Sequence, residues 1–503
     1  MRKCVFAAAI ASAAFSALGV RHSAFQDPLF QFSPVQPDVL SASGTFVNAF
    51  ADYDSDGDLD LFVGLGGAPN RLYRNDPAKG ATDFTRAFVD VAPSAGLADA
   101  RATRAAAWGD FDHDGDPDLL VGFTPGTGSV LRLYRNVRER FVDVTSETRL
   151  AVETGAVRQP IWVDFDGDDD LDLHVVFRDR ADMLFRNEAG KAFTEVAESL
   201  GLADTRRGVG AVWFDYDEDG DLDVYVAHMD GDANALYRRE GGRFRDAAEA
   251  TGLAWGGRAA RESSNGTVRP CAADINNDGH LDLYTANYGP NGLFLNQGGG
   301  RFEDVSQAWG IAIDGRYDTC AFADIDNDGR VDLYVNGTVT GGVNYRDYLF
   351  RNTGTRFVDV TPDMLRALNA DHGAQWADVD SDGDVELALT GVGTDVMPLL
   401  FRNGLAQPAA AQSVRIRVLD QRGRATRAGA EVRVFETGKR QLLSMSLVDS
   451  GSGYDSQNDM PVNIGLPRAG RVDVEVVVPR GGRRASTWLR NVDSRRLLTV
   501  RTP

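Results

Sequence analysis

The chain is poor in the residues that most often carry catalysis or covalent scaffolding. Three cysteines in 503 residues exclude the dense disulfide framework of small secreted domains. The six histidines are scattered: His22 near the start, His113 and His280 inside aspartate-rich loops, His174 and His228 on the strands that follow such loops, and His372 before the last loop. None stands at a zinc-ligand spacing or beside a nucleophile motif, so each reads as an ordinary strand or turn residue and no catalytic residue is assigned. Long apolar runs are missing too, except for one from Cys4 to Val20 behind Met1-Arg-Lys3. That pattern is expected to be a secretory signal peptide over residues 1–24, cleaved after Ala17 or Ala24. A membrane anchor is the rival reading, but the run is short for a spanning helix and breaks at Arg21-His22. No transmembrane helix is expected in the mature chain. Positive charge is the last shortage, with 53 Lys and Arg against 74 Asp and Glu for a net charge of −21. Without a basic-aromatic pattern or a known nucleic-acid module, nucleic acid is not expected as a partner.

What the chain has in excess is aspartate, arranged in seven loops of one design. The first holds Asp52, Asp54, Asp56 and Asp60 at loop positions 1, 3, 5 and 9, with Gly57 at position 6. The second holds Asp110, Asp112, Asp114 and Asp118, the third Asp164, Asp166, Asp168 and Asp172, and the fourth Asp215, Asp217, Asp219 and Asp223. The fifth has Asp274, Asn276, Asp278 and Asp282, the sixth Asp324, Asp326, Asp328 and Asp332, and the seventh Asp378, Asp380, Asp382 and Glu386. Acids at positions 1, 3 and 5 point into one concave turn, glycine at 6 lets the backbone bend, and the acid at 9 closes the cage. Such an all-oxygen cage selects calcium over the tighter octahedron of magnesium, and up to seven structural ions are expected. In the related EF-hand loop the position-7 ligand is a backbone carbonyl, the closing Glu sits at position 12 and a helix follows. Here the closing acid lies at position 9 inside apolar runs such as Leu59-Asp60-Leu61-Phe62-Val63, so a strand follows. A lone Asp-Gly loop would read as a solvated turn; seven in register do not. The third loop has Asp169 where the others have glycine, and is expected to be strained or weaker because Asp takes that conformation less readily.

Each loop belongs to a longer unit. A Phe-x-Asp-Val opener precedes it, as at Phe32, Phe88, Phe141, Phe193, Phe244, Phe302 and Phe357, and an apolar pair with Arg-Asn or a variant follows, as at Leu72-Tyr-Arg-Asn75 and Leu133-Tyr-Arg-Asn136. First aspartates are 58, 54, 51, 59, 50 and 54 residues apart. Units of this length, with short strands and glycine-rich turns, match four-stranded propeller blades, and seven fit a closed ring. Two residues before most loops stands a large side chain, Phe50, Trp108, Trp162, Trp213, Phe322 or Trp376. Strand alternation puts it against a neighbouring blade; an aromatic platform for sugar stacking is the competing reading.

The openers, the Asp-x-Asp-x-Asp-Gly-x-x-Asp loops and stretches such as Val63-Gly-Leu-Gly-Gly-Ala-Pro69 resemble FG-GAP/VCBS repeats, the calcium-loop propeller units also found in integrin α-subunit heads. The resemblance covers residues 29–403 and implies that the loop acids are structural calcium ligands. After an Ala/Gln/Pro linker, 404–412, alternating strands such as Val414-Arg-Ile-Arg-Val418 and Val472-Asp-Val-Glu-Val-Val-Val478 indicate a small β-sandwich-like domain over 413–503. Its segments Gly429-Ala-Glu-Val-Arg-Val434 and Gly451-Ser-Gly-Tyr-Asp-Ser-Gln457 are similar to the ASPIC/UnbV domain that follows such propellers in the cartilage acidic protein family. No activity follows from that second resemblance.

Charge is uneven. From residue 412 onward 17 Lys and Arg face 9 Asp and Glu, which suits a solvated basic surface, docking on the acidic propeller, or an anionic partner such as an acidic polysaccharide. Cys271 and Cys320 fall near equivalent positions of adjacent units, either as a disulfide or as two buried apolar residues. Two inserts depart from the repeat, Trp255–Asn265 and Thr338–Tyr348, either as longer turns or as one composite recognition surface. The reading is therefore an all-β protein, a seven-bladed β-propeller with a small β-sandwich-like domain. It is expected to be secreted, periplasmic or at the cell surface, and to act as a calcium-binding module for binding or adhesion to an extracellular protein or polysaccharide. The alternatives are a calcium-dependent carbohydrate-active enzyme of the polysaccharide-lyase type, using Arg258, Arg261, Tyr345 or Arg346, and a purely structural surface-assembly module.

Overall fold

The computed structural model describes residues 30–78, 84–126, 128–368 and 372–503; the expected signal peptide lies outside the described residues. The chain is all-β, built from four-stranded antiparallel sheets of the propeller-blade kind followed by two further sheets. The first sheet shows the plan: Thr45–Ala51, Asp60–Leu65, Arg71–Pro77 and Arg86–Asp90 pair in chain order, and the aspartate loop joins the first strand to the second. Every such sheet repeats the register, so that Phe50 faces Leu61, Trp162 faces Leu173, Trp213 faces Val224 and Trp376 faces Leu387. The second strands of the first four sheets are buried along their whole length, which explains their continuous apolar runs.

Sequence unit and sheet are offset by one strand. Each opener pairs with the Arg-Asn strand before it rather than joining the loop after it: Phe88 lies opposite Asn75, Phe141 opposite Asn136, Phe193 opposite Asn187 and Phe357 opposite Asn352. The first opener, Phe32–Pro34, therefore completes the last sheet, with Phe32 opposite Asn403. Both ends of the repeat array meet in one sheet.

Two sets of side chains fasten neighbouring sheets. The tryptophans before the loops are buried, and their indole N–H groups donate to the preceding sheet: Trp108 to the Ala49 carbonyl at 3.2 Å, Trp162 to Ala107 at 3.4 Å and Trp376 to Ala321 at 3.3 Å. Trp213 donates instead to His174 Nδ1 at 3.2 Å, and burial pushes that imidazole down to about 3, so it stays neutral and accepting. These rings are core between sheets, not sugar platforms. The closing asparagines act as rivets. Asn136 Nδ2 donates to Pro117 O of its own loop and to Tyr53 O of the preceding loop, at 3.2 and 2.8 Å. Asn187, Asn296 and Asn352 repeat both bonds, and Asn75 reaches Val379 of the last loop at 2.8 Å. In the fourth sheet Arg239 takes the place of asparagine and donates to Phe165 O.

The fifth and sixth sheets are joined further. Asp282–Pro290 extends to pair with Asp314–Ala323, Tyr288 opposite Arg316, and the disulfide Cys271–Cys320 links their first strands with Cα atoms 6.2 Å apart.

Beyond the linker, Val462–Gly465, Ser413–Leu419 and Leu498–Arg501 form one sheet, and Leu442–Leu447, Glu431–Glu436, Arg471–Pro479 and Arg484–Asp493 the other. Their facing sides bury a valine-rich core that includes Val414, Val432, Val474 and Val476. Between strands Leu442–Leu447 and Val462–Gly465 the chain leaves this pair of sheets, and residues 449–459 enter the centre of the propeller-like array. There Gln457 accepts from Trp162 N–H at 2.6 Å and donates to Trp162 O at 2.9 Å. Asn458 Oδ1 accepts from Phe50 N–H at 2.8 Å, Asp459 N–H donates to Phe50 O at 3.0 Å, and Trp213 N–H donates to Ser450 O at 3.2 Å. Ser456–Gln457 lies parallel to Ala106 and Ala107 of the second sheet. At the tip, Tyr454 packs on Val209 and Val268, and Asp455 pairs with Arg104 at 2.9 Å.

Asn136→Ala removes a donor shared by two buried carbonyls on adjacent sheets, and should cost about 1–3 kcal/mol. The denaturant midpoint is expected to fall with the slope unchanged; an unaltered midpoint would show that the rivet contributes nothing.

Candidate metal centres

Loop conformation follows from two left-handed residues per loop. Position 6 is one: Gly57, Gly115, Gly220, Gly279, Gly329 and Gly383 have φ between 87° and 102°. Position 4 is the other, where Ser55, His113, Glu218, Asn277, Asn327 and Ser381 have φ between 54° and 66°. The third loop exchanges the two, with Gly167 at position 4 (φ 81°) and Asp169 at position 6 (φ 73°). The expected strain at Asp169 is present and is matched by ion pairs: its carboxylate meets Arg427 at 2.8 Å and Arg480 at 2.7 Å, which hold its pKa below the usual range.

Within each loop the acids divide their work. The position-1 acid folds the turn, as where Asp110 accepts from Asp114 N–H and Gly115 N–H, both at 3.1 Å. The position-9 acid clasps the loop to the next strands: Asp118 accepts from Phe111 N–H at 3.1 Å and Asn136 N–H at 2.8 Å, and Asp60, Asp172, Asp282 and Asp332 repeat both bonds. Glu386 closes the seventh loop by accepting from Val379 N–H at 3.2 Å.

Carboxylate oxygens from positions 1, 3 and 9 converge to within 4.8 Å of one another in Asp52/Asp54/Asp60, Asp110/Asp112/Asp118, Asp164/Asp166/Asp172, Asp215/Asp217/Asp223 and Asp324/Asp326/Asp332. Position 5 is not in these groups. Through one oxygen each, Asp56, Asp114, Asp168, Asp219, Asp278, Asp328 and Asp382 accept from the N–H of position 7 at 2.9–3.1 Å. In the fifth loop Asn276 Nδ2 donates to Asp278 at 2.8 Å. Sequence spacing does not register the turn that position 5 makes with position 7.

The residues fit a cation. Asp52 Oδ1, Asp112 Oδ1, Asp166 Oδ1, Asp215 Oδ1, Asp380 Oδ1 and Glu386 Oε1 are buried without a hydrogen-bond partner, and a bare buried carboxylate oxygen is costly unless a cation meets it. Burial pushes Asp52 up to about 6, Asp110, Asp164, Asp274 and Asp378 to about 7, Asp215 to about 8, and Asp60 and Asp223 to about 9. A divalent ion would replace those protons.

Arginines reach the loops from two directions that the spacing did not mark. The closing motif supplies Arg135 to Asp112 at 2.7 Å, Arg238 to Asp217 at 2.8 Å and Arg351 to Asp326 at 2.6 Å. The C-terminal sheets supply Arg427 to Asp164 at 3.6 Å, Arg484 to Asp215 at 3.5 Å and Arg415 to Asp378 at 3.4 Å. Part of the basic C-terminal surface thus docks on the acidic loops, while Lys439, Arg468 and Arg495 stay exposed. Histidines link neighbouring loops, His113 to Asp170 at 2.7 Å and His280 to Glu218.

Of the insert residues, Arg258 is buried and donates to His228 O and Thr267 Oγ1, and Arg346 pairs with Asp359 at 2.7 Å over the Tyr348 ring. Arg261 is exposed and Tyr345 half-buried. The four do not converge on one another through any of these contacts.

The raised carboxyl values give a signed prediction. In chelator the folded chain keeps protons that the unfolded chain has released above about 4, so metal-free stability is greatest below that pH and falls as pH rises through about 6 to 9. Calcium should remove this fall and release protons on binding. Denaturant titrations at pH 5 and 8, with chelator and with calcium, read both effects.

The FG-GAP-like repeat model matches residues 52–121, 164–226, 215–285 and 274–335, and the ASPIC and UnbV model matches residues 421–503. Cartilage acidic protein 1 from Xenopus tropicalis is 31% identical over 205 residues, 39% of this chain and 29% of that protein. The Homo sapiens protein of that name is 32% identical over 187 residues, 35% of this chain and 27% of that protein. The matches thus span less than a third of the length of these relatives. Among solved structures, an Agrocybe aegerita lectin that recognises non-reducing terminal N-acetylglucosamine is 18% identical, with a TM-score of 0.41 over 64% of this chain and 81% of that one. The chain carries FG-GAP-like repeats with a C-terminal ASPIC and UnbV domain, and is a distant homologue of cartilage acidic protein 1.

Proposed function

We propose that this protein is a secreted, calcium-stabilised seven-bladed propeller that works as an extracellular binding module, its loop acids at positions 1, 3, 5 and 9 all contributing to structural calcium sites. The observation that carries the reading is the set of converging acids, repeated in loop after loop, with buried oxygens that meet no donor. A disulfide between two sheets suits an oxidising compartment, and calcium outside cells is abundant enough to fill weak sites. No helix among the described residues is long and apolar enough to cross a membrane.

The C-terminal sheets cover the loop side, which leaves the opposite side for a protein or polysaccharide ligand. That side carries the longer turns, including the hairpin of Val339–Thr340 and Val343–Asn344, whose valines are exposed. It joins the second and third strands of its sheet, and so lies at the end away from the aspartate loops. Exposed loops on a rigid scaffold are where recognition usually sits.

Two measurements test the reading. Elemental analysis should find several calcium ions per chain, and a chelator should lower the melting temperature strongly, since each site at 100 times its dissociation constant adds about 2.7 kcal/mol. A glycan and matrix-protein array should then show calcium-dependent binding without turnover, lost when residues 339–344 are replaced by a short glycine turn. Absence of bound calcium, with no shift on chelation, would sink the metal assignment.

A further inference from the structure

The segment 449–459 fills only part of the ring's mouth. It bonds the peptide edge two residues before the loop in the first, third and fourth sheets, at Phe50, Trp162 and Trp213, and runs alongside the second. Strand register turns the same edge inward in the remaining sheets, where Ala272 faces Leu283, Phe322 faces Leu333 and Trp376 faces Leu387. In the seventh sheet the segment bonds the Gln375 side chain beside Trp376, through Ser452, Ser456 and Asn458, but among the described residues no bond from it reaches those three peptide groups. They line a cavity of about 420 Å³ between the propeller and the C-terminal sheets instead. Its near wall includes the Cys271–Cys320 disulfide, and its far wall Met445, Leu447, Met460 and Val462. Cys271, Ala272, Phe322 and Ala323 are half-buried there, whereas Phe50, Trp162 and Trp213 beneath the inserted segment are fully buried.

We propose that this cavity is a binding site for a short extended peptide that pairs with the open edges of Ala272, Phe322 and Trp376. The chain's own insertion supplies the template: one edge takes an asparagine and a main-chain N–H, the next a glutamine amide, another a serine. Groups that match these edges are therefore amides and hydroxyls presented at strand spacing. An extended peptide supplies such groups along its backbone and places alternate side chains against apolar walls. The volume lies at the small end of ligand sites, which run from roughly 300 to 1,000 Å³, so the site takes a few residues and not a folded partner. Arg415 and Arg417 at the rim are held by Asp378 and Asp459, so recognition falls to the peptide edges and the apolar walls. This proposal rests on the reading of the protein as a binding module.

The probe is N-acetyl-Ser-Gln-Asn-Asp-amide, a copy of residues 456–459, titrated into the calcium-loaded full chain by calorimetry, with N-acetylglucosamine as a second arm. One peptide is expected per chain, with affinity about tenfold or more weaker in Leu447→Trp and in Met460→Trp, each of which places a larger ring at the cavity wall. The Trp376 indole resonance should move on peptide addition in the unsubstituted chain, a readout that needs no variant to fold. Absence of binding at millimolar peptide, binding undiminished in the variants with Trp376 unmoved, or binding of the sugar alone would each overturn the proposal. Intact calcium-dependent melting in the same samples separates that failure from failure of the calcium reading.

Discussion

Carboxylates taken out of water set the terms for this fold. Asp60, Asp118, Asp172, Asp282 and Asp332 sit buried at the ends of second strands, where two backbone N–H groups hold each one. Those bonds fix the loop, and the loop fixes the oxygens at positions 1 and 3 beside them. A cluster of this kind is stable only if protons or cations balance it, because like charges at close range and low dielectric repel strongly. The protein answers with converging acids that a cation could balance, and with arginines around them. One acid thus serves as loop clasp, strand terminus and member of the converging cluster.

Adjacent loops are coupled through the same atoms. Asn136 ties the second loop to the first, Asn187 the third to the second, and Asn75 the first to the seventh. Each of these amides bonds carbonyls of two loops at once, so adjacent loops share hydrogen bonds. The C-terminal sheets add a second layer of coupling, since Arg427, Arg484 and Arg415 reach the first acids of three loops while segment 449–459 bonds the strands behind them. The blade-like sheets and the C-terminal sheets are therefore linked electrostatically, and part of the positive charge after residue 412 has a partner inside the molecule.

Much of this was legible in the chain. Loop spacing revealed the repeat, the all-oxygen chemistry and the strand that follows, because each depends on residues close in sequence. Asp169 could be marked as strained from one missing glycine. The offset between unit and sheet was not legible, since a repeat can be cut at any point in its period and only pairing shows that Phe32 closes the last sheet. Nor was the turn at position 5, where one carboxylate oxygen accepts from the N–H of position 7.

The sequence alone determined the number of loops, the donor chemistry at each and the all-β character, because short-range spacing and alternation specify turns and strands. Tertiary structure decided the pairing of Cys271 with Cys320, the docking of arginines on the loops, and the passage of Ser456 and Gln457 into the ring. These contacts join residues from about 50 to several hundred positions apart, and their geometry is set by how sheets stack around a centre. No local pattern encodes that distance.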